Sequence, residues 1–179
     1  TYATGVLPNL PWSGSNACTI FFVCTNKRSN NTYATYLGSN QSAVNYQIIR
    51  HNGSSVNYNV YAENLSNWQI TASNAVPVNA TISEAYIVIF QFKAPSGNSQ
   101  VEIFKHENGS TSSATHAIAG KTYSFELTDN NTTVTIGTSS WSNEYLNAGI
   151  FAWGATNTEM SSADRQIIYD YYADKGLAN

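Results

Sequence analysis

Apolar residues in this chain fall in short runs or at every second position, the spacing of strands rather than helices. Residues 85–92 (Ala-Tyr-Ile-Val-Ile-Phe-Gln-Phe) are apolar at both parities, which predicts a central strand covered on both faces. Residues 17–25 form a second near-continuous apolar strand. In residues 56–61 the pattern alternates, with Val56, Tyr58 and Val60 facing one way and Asn57, Asn59 and Tyr61 the other. Further strands are expected at 33–38, 44–51, 56–62, 67–72, 121–128 and 132–137, and within 101–109. Turn residues separate them: Asn52-Gly53, a tight-hairpin dipeptide, the Pro95-Ser96-Gly97-Asn98 turn, and Asp129-Asn130-Asn131. Residues 145–153 read as a last buried strand, followed by a polar bend at 154–159.

After that bend the period changes. Ser161 with Asp164 three places later matches a capping box, so a helix should begin here. Its spacing puts Ile167, Ile168, Tyr171 and Tyr172 on one face, and Gly176 is placed to end it. Short strands with turns between them and one terminal helix predict an all-β chain, a two-sheet antiparallel sandwich with a short C-terminal helix. No repeat or linker interrupts it, so residues 1–179 are expected to form a single domain, with 1–16 as an irregular lead-in in which Trp12 packs under the first strand.

Composition narrows the partners. Charged residues make up 11% and the net charge is -3, which offers no broad attraction to phosphate backbones and argues against nucleic acid. No apolar stretch approaches the roughly 20 residues that cross a bilayer as a helix, so membrane insertion is not expected. Cys18 and Cys24 bracket an extended run, and six steps at about 3.3 Å each hold them roughly 20 Å apart, well beyond disulfide reach. They share a face with Ile20 and Phe22 and read as two buried thiols, which favours a reducing compartment. Against that stand Asn-x-Ser/Thr triplets at Asn30, Asn40, Asn52, Asn64, Asn79, Asn108, Asn130 and Asn131. They would carry glycans in a secreted eukaryotic protein, but arise by chance in a chain so rich in Asn, Ser and Thr.

Three stretches together resemble laminin-G-like domains of the concanavalin A-like lectin/glucanase superfamily. The first is the strand at 17–25. The second is Tyr86 on its strand, the following turn, and the strand ending in Glu107-Asn108-Gly109. The third is the closing phrase from Trp153 through Ser161 and Asp164 to Ile167, Ile168 and Tyr169, in which Met160 takes the place of the family's leucine. The resemblance implies a jelly-roll sandwich and, by fold alone, leaves function open.

Glucanases of that superfamily carry alternating acids on one strand, whereas Glu102 stands alone on its strand and all four aspartates lie in a turn or in the helix. A glycoside hydrolase is therefore the third choice, and the chain is expected not to be an enzyme. His51, His106 and His116 lack a supporting nucleophile motif, and His51 and His106 read as solvent-facing strand ends. No metal or other cofactor is expected: Asp129-Asn130-Asn131 offers oxygen atoms of the kind calcium takes, but those residues are also what a hairpin turn requires.

Sugar recognition needs only ring faces and amide or hydroxyl side chains. Trp68 beside Asn67, and Trp141, Asn143 and Tyr145 just before the last strand, place aromatic rings in polar surroundings and are the candidate ligand-binding residues. The expected role is a non-catalytic recognition module, carbohydrate-binding, of a viral or phage surface or appendage protein. Low charge, abundant Asn, Ser, Thr and Tyr, and free thiols motivate the placement on a virion surface; the alternative location is extracellular. The alternative role is a structural decoration or minor capsid protein contacting coat-protein neighbours, as a homo-oligomer or as part of a larger assembly.

Overall fold

Residues 3–6, 17–26, 34–41, 44–51, 58–61, 69–71, 85–93, 99–118, 133–136, 148–156 and 158–178 are described by the computed structural model. Strands β1 (Ala3–Val6), β2 (Cys18–Asn26), β3 (Ala34–Gln41), β4 (Val44–His51), β5 (Tyr58–Tyr61) and β6 (Gln69–Thr71) come first. They are followed by β7 (Tyr86–Lys93), β8 (Ser99–Glu107), β9 (Ser110–Ile118), β10 (Thr133–Ile136), β11 (Ala148–Thr156) and the helix α1 (Ser162–Ala173). The strands pair antiparallel in two sheets, ordered β1-β10-β3-β4-β5-β6 and β11-β2-β7-β8-β9, and β6 touches β9.

The doubly apolar run is β7, flanked by β2 and β8 and buried along nearly its whole length. Its two faces do different work. Phe90 points to the side shared with Phe22, whose ring meets it edge-on at 6.4 Å, and with Cys18, Ile20 and Cys24. Ile87 and Ile89 point to the other side, where with Val23 they form the floor on which α1 lies. Both thiols are free and buried, as the spacing requires, and burial pushes each up to about 12. A thiol reagent should therefore leave Cys18 and Cys24 unlabelled in the native protein and modify both after unfolding. Labelling of either thiol within minutes under native conditions would contradict their burial.

The helix is built as its sequence signals dictate. Ser161 Oγ accepts from the Asp164 N–H at 3.1 Å, and Asp164 Oδ2 accepts from the Ser161 N–H at 2.9 Å. These bonds hold the Asp164 carboxyl below the usual carboxylate range. At the other end Gly176, at φ 74°, lets its own N–H reach Ala173 O and the Leu177 N–H reach Tyr172 O, the paired bonds of a Schellman close. Ser161→Ala should lower Tm by about 3 °C in a calorimetric scan, because one orphan donor of the first turn loses its acceptor. No change in Tm would mean that the cap contributes nothing.

Several expectations are corrected. The helix does not bury Ile167 and Tyr171, which are 67% and 55% exposed. It turns instead so that Tyr169 is buried, with Ile168 and Tyr172 packed beside it, because the Val23, Ile87 and Ile89 strip and the His106 ring lie beneath that face. The last strand is an edge rather than a buried strand, and Phe151, the extra residue of a bulge between Ile150 and Ala152, is 54% exposed. It also continues past Gly154. A Cβ there would lie 2.5 Å from the Phe21 ring, so glycine is what lets that ring lie across the neighbouring strand.

The lead-in contains a strand, β1, which pairs with β10 and is too short to register as a pattern. Strand β9 was not expected, because Ser110 to Thr115 are nearly all hydroxyl-bearing and exposed, without the apolar alternation that marks a half-buried strand. Strands β4 and β5 close on His51 opposite Tyr58 rather than directly around Asn52-Gly53; residues 52–57 lie outside the described set. The expected strand at 121–128, the Asp129-Asn130-Asn131 turn and Trp12 lie outside it as well.

Candidate functional site

Trp68, Trp141, Asn143 and Tyr145, the residues proposed from sequence for ligand contact, all lie outside the described residues. What the described residues do assemble is a polar and aromatic cluster where α1 meets the sheet. It begins with a tight turn: Glu107 pairs with Ser110, leaving Asn108 and Gly109 at φ 50° and 67°, the left-handed pair of a type I′ hairpin. That turn fixes the register of β8 against β9 and brings His106 opposite Thr111. The ring Nδ1 of His106 lies 2.8 Å from Thr111 Oγ1.

Tyr169 of α1 then covers the imidazole, its ring stacked at 4.2 Å and tilted by only 7°. His106 is 8% exposed, so the expectation of a solvent-facing histidine is wrong. The sequence puts it at a strand end beside a turn, and only the helix, which is remote in sequence, buries it. Burial lowers its basicity below the ordinary imidazole value, and the nearby Asp170 carboxylate works in the opposite direction. Burial likewise raises the Tyr169 phenol, while Arg165 and Thr111 pull it down.

The rim of the cluster is ionic. Arg165 stacks on Phe104 at 3.9 Å and donates to Met160 O at 2.7 Å. Lys93 bridges Glu102 at 2.9 Å and Glu159 at 3.0 Å, and Gln91 accepts from the Met160 N–H at 3.1 Å. Glu102, alone in the sequence pattern, is thus tied to Lys93 and Gln91.

A hydroxyl and an imidazole at this separation have the spacing of a nucleophile and its base. Here the His106–Thr111 pair joins β8 to β9, and the Tyr169 ring stacked on the imidazole brings α1 onto it. Among the described residues no group of three His, Cys, Asp or Glu side chains is arranged to hold a metal ion, and no helix is long and apolar enough to cross a membrane.

Outside this cluster, aromatic surface is open on α1 and β11. The exposed Tyr171 ring carries Lys175 Nζ 5.1 Å from its centroid, and Tyr172 meets it edge-on at 5.0 Å. Phe151 adds a second open ring on β11. The helical spacing could not separate Tyr171 from the core face, since it sits one turn from Ile167 and next to Tyr172.

No known family profile and no curated protein matches the chain. Among solved structures it is similar to the binding domain of a serotype D/C botulinum neurotoxin, with 17% identity and a TM-score of 0.51 over 88% of this chain and 37% of that one. It is also similar to full-length tailspike protein 2 from an Escherichia coli O157:H7 bacteriophage, with 13% identity and a TM-score of 0.54 over 89% of this chain and 22% of that one. At these identities the likeness is one of fold. The chain spans well under half the length of either protein.

Proposed function

We propose that the chain is a non-catalytic recognition module of jelly-roll type, its two sheets packed face to face as in concanavalin A-like and laminin-G-like domains. It binds carbohydrate on behalf of a phage or viral surface appendage. The observation that carries this reading is the fold likeness to one protein named as a binding domain and another named as a tailspike, both much longer than this chain. The sequence supports it independently: alternating catalytic acids are absent, while Trp141, Asn143 and Tyr145, with Trp68, supply the rings and amides that sugar recognition uses.

Titration of the intact chain against a polysaccharide panel, with and without calcium, tests this. Trp141→Ala should weaken the best binder about 30-fold, the effect of losing an aromatic hot spot. Unchanged affinity in that variant would remove the Trp141 to Tyr145 segment as the contact.

A second reading is favoured by Phe151 and Ile167, large apolar side chains left open to solvent. Such residues suit a protein neighbour better than a sugar, and would make the chain a decoration or minor capsid component. Co-sedimentation with coat subunits, and no binder in the polysaccharide panel, would favour it.

A further inference from the structure

The attachment of α1 differs from the strand core beneath it in resting on an imidazole, a ring that titrates near neutral pH. Strands β2 and β7 are held by side chains such as Ile20, Phe22, Val23, Ile87 and Ile89, which are fully buried, uncharged and indifferent to pH. The helix buries only Tyr169, and Tyr169 rests flat on His106. An element with so few buried contacts opens more readily than the strands beneath it. We propose that α1 is an acid-released latch: protonation of His106 detaches the helix from the β2-β7-β8 face and uncovers Phe21, Ile89 and Phe104.

From α1, the Asp170 carboxylate and the π-face of Tyr169 favour an imidazolium. Arg165, on the same helix, is turned onto the Phe104 ring two residues along β8. From β9, among the described residues, comes the neutral hydroxyl of Thr111, and the cross-strand partner on β7 is Ile87. Lys105 and Glu107, the neighbours on β8, pair with each other at 2.8 Å. Removal from water outweighs the favourable pair, so the ring is less basic when the helix is docked.

A histidine depressed in the docked state gives docking its full strength above the ordinary imidazole value near 6.5, and docking weakens as pH falls through that value toward the depressed one. Each unit of depression makes release about tenfold easier in acid. The detached helix stays tethered through Met160, Gln91 and the Lys93–Glu159 pair, so Ser161 is where the chain would swing.

Hydrogen exchange on the intact chain, corrected for intrinsic rates, tests the latch between about pH 7.5 and about pH 5. In the wild type, α1 amides should lose protection on acidification while β2 and β7 keep theirs. In His106→Phe, which retains a stacking ring without a titratable nitrogen, the α1 response should vanish. Equal α1 protection at both pH values overturns the proposal. So does loss of β2 and β7 protection together with α1, or an unchanged response in His106→Phe. Should that variant fail to fold, the imidazole NMR titration of the wild type decides: a His106 midpoint below 6.5 agrees, and one at or above it overturns the latch.

Discussion

Phe90→Ala should destabilise the protein by about 3–5 kcal/mol, the largest effect expected of any single truncation among the residues described. The ring lies on the central strand, is fully buried, and meets Phe22 edge-on from the adjacent strand. The cost has two sources, the lost transfer of an aromatic side chain from water and the cavity that remains. The neighbours Ile20 and Phe22 on β2 and Ile103 on β8 are themselves fully buried in paired strands and cannot collapse freely into the space. Urea unfolding should show a lower midpoint with little change in slope. A loss below about 1 kcal/mol would mean that this side of β7 is not packed as described.

Tyr169→Ala should cost about 3 kcal/mol, whereas Tyr171→Ala, two residues away on the same helix, should change stability by less than about 0.5 kcal/mol. Tyr169 is 5% exposed and stacks on His106, while Tyr171 is 55% exposed. The pair of variants fixes the rotation of the helix about its own axis. Comparable losses in the two would contradict the packing face, since the face containing Ile167 and Tyr171 and the face containing Arg165, Ile168, Tyr169 and Tyr172 cannot both be buried. Chemical denaturation of each variant, followed by near-ultraviolet dichroism of the aromatic rings, reads out both numbers.

That contrast also marks where the sequence stopped being informative. The cap at Ser161 and Asp164 and the stop at Gly176 are local chemistry between residues a few positions apart, and they are legible without any knowledge of the sheet. The burial of β7 is legible for a related reason: apolar residues at both parities have no alternative to being covered on both sides. The rotation of α1 is not local. Ile167 and Tyr171 are as apolar as Ile168 and Tyr172, and the choice between them is made by Ile87, Ile89 and His106, roughly sixty to eighty residues earlier.

Strand β9 owes its existence to the Asn108-Gly109 turn and to pairing with β8, not to an apolar pattern of its own. His106 looked exposed because the residue that covers it, Tyr169, is supplied by an element far along the chain. The buried, unpaired state of Cys18 and Cys24 was legible, because strand geometry alone separates them and their parity aligns them with Ile20 and Phe22. Of the candidate site, the residue types suited to sugar contact are legible at Trp68, Trp141, Asn143 and Tyr145, but all four lie outside the described residues.

Recognition without hydrolysis is tested most directly by following binding and sugar release in one sample. The intact chain is titrated calorimetrically into polysaccharides of the panel, and the same mixtures are then assayed for new reducing ends. Saturable binding to at least one polysaccharide with no reducing ends above the protein-free control is the expected result. Accumulating reducing ends, or no binding across the panel with or without calcium, would contradict it.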